Sequence, residues 1–278
     1  MKRFEETDLF HDAIDYWWKS KRNVITKKTQ GGSRDDNLHG KTMNGFAIAL
    51  RSFLLGLNVN PEHIFFGGQM DSRPAILPSY FRPSKNWDLI VLSNSRFHST
   101  SKETANPVLY AAVEFKSQDK SIGNNQNNRL EESLGNAVDF WTTYAHSGFE
   151  CQQPRPWLGY LFVGNHCSTL DSKPVKIRQP HFQAMPPFRV KDSDDSPVYG
   201  GPSYADRYRI FLKQSVGARL YDAGAFIVTD ESLSDSRPNH RLTLPEFGSG
   251  NFLRCLKAQI LAHYPEATIS PGSIASQL

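Results

Sequence analysis

The chain has 278 residues, 38% of them hydrophobic and 22% charged, and its 32 Lys and Arg against 28 Asp and Glu leave a formal charge of +4 and a pI near 8.9. This balance excludes a disordered chain, and the lack of a Gly-X-Y period or sustained heptads excludes collagen-like and coiled-coil classes. No apolar run approaches the ~18 residues of a membrane span, the three cysteines Cys151, Cys167 and Cys255 contain no CxxC, and the opening Met1-Lys2-Arg3-Phe4-Glu5-Glu6 lacks an export signal, so a cytoplasmic protein is expected.

Taken in chain order, Asp8 to Lys19 sets Leu9, Phe10, Ala13, Ile14, Trp17 and Trp18 at helical spacing and predicts a helix whose tryptophans are core. A polar, Gly-containing loop with several basic residues is expected from Lys19 to Lys41, and a second helix from Thr42 to Leu57. Trp87 to Leu92 and Val108 to Lys116 read as an antiparallel strand pair joined by a long polar loop. Gly123 to Asn128 reads as an Asn-rich turn, Arg129 to Tyr144 as a helix, and Trp157 to Val163 as a third strand. Strand, strand, helix, strand in that order predicts an α/β fold with a mixed central β-sheet flanked by helices, its third strand returning parallel through a crossover helix. Residues Asp171 to Pro202 read as a surface excursion, Tyr204 to Tyr221 as a basic helix, Ala223 to Thr229 as a short strand and Asn251 to His263 as a last helix, with a small polar tail at 266–278 expected to be disordered.

The chemistry-bearing residues are Asp88 and the triplet Glu114-Phe115-Lys116. Side chains alternate along a strand, so Glu114 and Lys116 share one face, expected to be an exposed edge, while Val113 and Phe115 point to the core. In a hairpin centred on residue 101, Asp88 falls opposite Glu114. Adjacent carboxylates repel, and a shared divalent cation relieves them. Oxygen ligands suit Mg2+, which takes one or two carboxylates and completes its shell with water and substrate phosphate. Such a cation polarises a phosphoryl oxygen and acidifies a water, with Lys116 beside it to orient that water or stabilise the transition state. On pattern alone this reading and a plain surface ion pair stand level.

Asp88 followed by Glu114-x-Lys116 resembles the PD-(D/E)xK nuclease signature, with Trp87 where the superfamily often has Pro. The runs Asn86-Trp87-Asp88-Leu89, Ala112-Val113-Glu114-Phe115-Lys116-Ser117-Gln118, Gly123 to Arg129 and Pro156-Trp157-Leu158-Gly159-Tyr160, with Tyr208-Arg209 and Ala223-Gly224-Ala225, are similar to those of the XhoI family of type II restriction endonucleases. The resemblance runs from about the second helix to the last strand. It implies a restriction-endonuclease-like core over about 42–230 of a single domain spanning 1–278, with N-terminal helices and a C-terminal helical extension. It implies a prokaryotic homodimer that cuts each strand of a palindromic duplex, CTCGAG, with Mg2+ to leave 5′-phosphates, alongside a cognate DNA methyltransferase. Carried over residue by residue, Asp88 and Glu114 would be metal ligands and Lys116 the catalytic lysine.

Base reading could fall to Asn124, Asn125, Asn127, Asn128 and Arg129, since Asn and Gln suit adenine and Arg suits guanine. An Asx turn capping the next helix explains the same residues equally well. Glu131 and Glu132, placed at the opening of that helix, could add an acidic ligand or simply complement the helix dipole, the commoner case. His166 and Cys167, even with Cys151, lack chelating spacing. Lys27, Lys28, Arg34, Arg82, Lys85, Lys173, Lys176 and Arg178 are loop cations of the kind phosphate contacts need, and Arg207, Arg209, Lys213 and Arg219 make a basic helix that could line DNA or a dimer interface. A nuclease of other or relaxed specificity, and a catalytically silent DNA-binding protein of the same fold, are the alternatives.

Overall fold

A computed structural model describes residues 8–29, 42–67, 75–93, 107–119, 122–149, 154–167, 170, 202–234, 237–242 and 247–268. A six-stranded mixed sheet runs through it, in the order β1 (Ile64–Phe66), β4 (Leu89–Leu92), β5 (Leu109–Gln118), β6 (Trp157–Asn165), β7 (Ala223–Ser234), β8 (Arg237–Leu242). β4 pairs antiparallel with β1 and β5, β5 and β6 are parallel, β6 and β7 are parallel, and β8 returns antiparallel on β7. A separate hairpin joins β2 (Ile76–Pro78) to β3 (Ser84–Asn86).

The two faces of the sheet are buried by different helices, and strand alternation sorts the residues between them. Leu89, Val91, Ala111, Val113, Phe115 and Leu161 pack with α1 (His11–Thr29), α2 (Asn44–Gly56) and α5 (Ser249–His263), where Trp17, Phe46, Leu50 and Phe252 are wholly buried. Ile90, Ala112, Tyr160, Phe162 and Phe226 pack on the other side with α3 (Ile122–Ala145), α4 (Tyr204–Gly217) and the small hairpin, through Phe140, Tyr208, Phe211 and Leu77. β5 is covered on both faces, which accounts for its unbroken apolar run from Leu109 to Val113. α4 begins with a capping box in which Ser203 accepts from the Asp206 amide and Asp206 accepts from that of Ser203.

The α/β class, the parallel return of β6 through α3 and the helix at 44–56 agree with the sequence reading. Several expectations need correction. α1 continues to Thr29, beyond the expected loop start at Lys19, and β7 extends to Ser234. The Asn-rich stretch at 123–128 is the first part of α3, so Glu131 and Glu132 lie in its third turn. Strands β1, β2, β3 and β8 were not legible. Within the expected tail, residues 266–268 are held to the end of α2: Asn58 donates to the Glu266 carbonyl and the Thr268 amide to that of Leu57. Of the excursion expected at 171–202, residues 171–201 lie outside the described residues.

Candidate active site

The β4–β5 register pairs Leu89 with Val113 and Ile90 with Ala112, which is the hairpin centred on residue 101. Asp88 stands just before β4, and its Oδ2 accepts the Phe115 amide at 2.7 Å, taking over the ladder where β4 begins. Its backbone is clamped as well. The Gly67 amide donates to the Asp88 carbonyl at 3.0 Å, and the Trp87 amide to that of Ala75 at 2.8 Å.

Glu114 and Lys116 share a face as alternation requires, but that face is not an exposed edge. α3 covers it, and Glu114 is 1% exposed. An ionised carboxylate is tolerated there only if it is fully partnered. Asn136 Nδ2 donates to Oε1, Lys116 Nζ lies 3.2 Å from the same oxygen, and the Tyr221 hydroxyl lies 2.7 Å from Oε2. Tyr221 is also 2.8 Å from the Ser133 carbonyl, so its single proton is shared between two acceptors.

Electrostatics follow from this crowding. Burial first, and then the Glu114 charge, push Asp88 up to about 6 against the counter-effect of the Phe115 amide and the two lysines. Burial disfavours the Lys116 cation, yet Glu114 and Glu132 outweigh it and leave its pKa raised. Those carboxylates therefore favour the ammonium form of Lys116. Lys85 Nζ sits 3.8 Å from Glu114 Oε1, and burial lowers its pKa despite the neighbouring carboxylates.

The loop between β2 and β3 braces these groups through α3. Asp139 accepts the amides of Tyr80 and Phe81 and the Arg82 Nε at 2.7 Å, and Arg82 Nη2 donates to Asn136 Oδ1 at 2.7 Å. The hairpin tip is thereby tied, through Asn136, to Glu114. Burial opposes ionisation of Asp139, but the Phe81 amide, Arg82 and the Tyr80 amide together hold its pKa below the usual value.

Asp88, Glu114 and Lys116 thus come together as their spacing suggested. Of the proposed base readers, Asn127 accepts from Arg207 Nη2 at 2.8 Å and Arg129 lies 3.8 Å from Glu132; Asn127 and Asn128 are exposed and Asn125 is partly so. The Asn124 side chain lies outside the described residues. Glu132 pairs with Lys116 at 3.1 Å, so it acts as a counter-ion to the lysine. Among the described residues no group of three or more His, Cys, Asp or Glu forms a metal cage. Two carboxylates remain, which suits a cation that keeps water and borrows substrate oxygens. Asp88 Oδ1 has no hydrogen bond to the described residues, and both carboxylates offer hard oxygen donors, so the pair would fit a divalent cation of the Mg2+ type.

Sequence reasoning missed Asn136 and Tyr221 and passed over Lys85 as one loop cation of many. A signal for the first existed: Ser133, Asn136, Asp139 and Thr143 are polar at three- and four-residue spacing, and all four are buried.

A family model described as restriction endonuclease XhoI matches residues 22–237. The chain is 35% identical over 201 residues to the type II restriction enzyme BstVI of Geobacillus stearothermophilus, covering 72% of this chain and 79% of that protein. It is 33% identical over 195 residues to the type II restriction enzyme AbrI of Azospirillum brasilense, covering 68% and 78%. To the type II restriction enzyme XhoI of Xanthomonas vasicola it is 30% identical over 209 residues, covering 73% of each. No solved structure matches the chain.

Proposed function

The chain belongs to the XhoI restriction endonuclease family and is a type II restriction enzyme, a hydrolase of double-stranded DNA; from that premise we propose that Asp88, Glu114 and Lys116 are its catalytic centre, with Asp88 and Glu114 holding Mg2+. The observation that carries this reading is the convergence of the three on one buried face at the β4–β5 junction, with Lys116 Nζ 3.2 Å from Glu114. No described helix is long and apolar enough to cross a membrane.

When bound, the cation supplies Lewis-acid polarisation of the scissile phosphate and acidifies a water. The protein's part is positional. The Phe115 amide holds Asp88, while Asn136 and Tyr221 hold Glu114, so neither carboxylate must reorganise during the reaction. Lys116, kept charged by Glu114 and Glu132, hydrogen-bonds the attacking water and aims it at phosphorus. The water oxygen bonds to phosphorus as the P–O3′ bond breaks. One water proton leaves to solvent, solvent protonates the 3′ oxygen, and a 5′-phosphate remains.

We propose further that the enzyme reads CTCGAG, the palindrome implied by the family resemblance, as a homodimer that cuts each strand once. Its host would protect the same site with a cognate methyltransferase. One domain, with its catalytic core at about 42–230, would carry the activity, and Asn124, Asn125, Asn127, Asn128 and Arg129 on the first turns of α3 would face the bases from beside the end of β5. Digestion of a sequenced plasmid in Mg2+ with mapping of the ends tests this. Discrete fragments ending within CTCGAG support the assignment, other discrete sites move the specificity, a smear favours a relaxed nuclease, and intact plasmid favours a silent DNA-binding protein.

A further inference from the structure

We propose that Lys85 is a second catalytic lysine, whose ammonium holds a non-bridging oxygen of the phosphate being cut. The inference rests on the site assignment above and adds to it a residue outside the Asp, Glu-x-Lys motif. Lys85 is the central residue of β3, where Ser84 and Asn86 on either side are exposed while its own side chain is only 13% exposed. The strand therefore turns this one lysine inward. Its ammonium lies over the Trp87 ring, 4.6 Å from the centroid, and 3.8 Å from Glu114 Oε1. The carboxylate distance is too long for a hydrogen bond. Lys116, by contrast, has oxygens of Glu132 and Glu114 at 3.1 and 3.2 Å.

Desolvating an ammonium is costly, and short hydrogen bonds normally offset that cost. Lys85 has none to the described residues. Its donors are held ready beside a carboxylate pair and lack an anionic oxygen at hydrogen-bond distance, which a phosphodiester would supply. Charge counting agrees. Asp88 and Glu114 cancel Lys85 and Lys116, and Glu132 is balanced by Arg129 at 3.8 Å, so a bound divalent cation would leave the site with two positive charges. A phosphodiester attacked by hydroxide carries two negative charges at the pentacovalent stage. Without Lys85 the site would fall one charge short at the moment of greatest need.

The competing account makes Lys85 a placeholder that neutralises the carboxylates until the cation arrives. Single-turnover cleavage of a CTCGAG duplex at saturating Mg2+, with enzyme in excess, separates the two. Lys85→Met should slow the chemical step on the order of 100-fold, keep duplex binding in Ca2+, and regain part of the rate as Lys85→Arg. A phosphorothioate diastereomer at the scissile phosphate that slows the wild type should slow Lys85→Met no further. Should the Met variant melt early, Lys85→Gln keeps a stem over Trp87 and serves in the same assays. Wild-type rate at saturating Mg2+, or an undiminished phosphorothioate effect in the variants, overturns the proposal. Lys116→Ala run alongside distinguishes the failures: if it too cuts normally, the whole site is misassigned, whereas a dead Lys116→Ala beside a fully active Lys85→Met sinks Lys85 alone.

Discussion

Tyr221→Phe isolates the hydrogen bond that the fold directs at Glu114. Tyr221 is wholly buried, its ring lies 5.1 Å from that of Tyr160, and phenylalanine fills the same volume, so the change opens no cavity worth counting. What is lost is one donor to a carboxylate that is itself 1% exposed. Hydrogen bonds to charged groups contribute about 1.5–3 kcal/mol, and Asn136 and Lys116 remain on the other oxygen, so a loss of about 2 kcal/mol is expected. For a chain of this size that is a fall of about 4–8 °C in Tm. The sharper assay is a double-mutant cycle in urea with Glu114→Gln, which keeps the shape and removes the charge. In that background Tyr221→Phe should cost only about 1 kcal/mol, the value of a neutral hydrogen bond, leaving a coupling of about 1 kcal/mol. Equal costs in both backgrounds, within about 0.5 kcal/mol, would show that Tyr221 serves the Ser133 carbonyl and not Glu114.

Other expectations follow from the same contacts. Gly67→Ala would bring a Cβ within 2.2 Å of the Trp87 carbonyl oxygen, backbone that cannot swing aside, so it should cost about 1–3 kcal/mol and lower cleavage by shifting Asp88; a stable, fully active variant would refute the clamp on residues 87 and 88. Asp139 has a depressed pKa, so the stability it adds is present above its ordinary value of 3.8 and is lost as pH falls through the folded value. Denaturation curves for Asp139→Asn should therefore lie below wild type at neutral pH and converge with it in acid; parallel curves would contradict the shift. Because protein donors already hold the carboxylate pair, a chelator should abolish cleavage without lowering Tm, and joint loss of both would point to a structural metal.

How much of this was legible depended on the range of the interactions. The β4–β5 hairpin could be read because Leu89 to Leu92 and Leu109 to Val113 are unbroken apolar runs whose register follows from symmetry about their loop. The inward or outward sense of Glu114 could not be read, because alternation says which residues share a face and not what covers it. That cover is α3, and its N-terminal Asn run looks like turn chemistry; in the fold the packing of Gln126, wholly buried with Nε2 donating to the Tyr204 carbonyl, outweighs local preference. β1 and β3 are three-residue strands, too short for a period to register, and β3 reads Ser-Lys-Asn. Lys85 was indistinguishable from a solvated cation until Trp87 and Glu114 were brought beside it. Tyr221 reaches Glu114 across 107 positions of sequence, a separation no local pattern encodes.

The most direct test of the catalytic assignment is cleavage of supercoiled plasmid in Mg2+ by Asp88→Ala and Lys116→Ala, paired with binding of each variant to a CTCGAG duplex in Ca2+. Loss of cleavage with specific binding retained is the predicted result. Full cleavage by either variant would contradict the account.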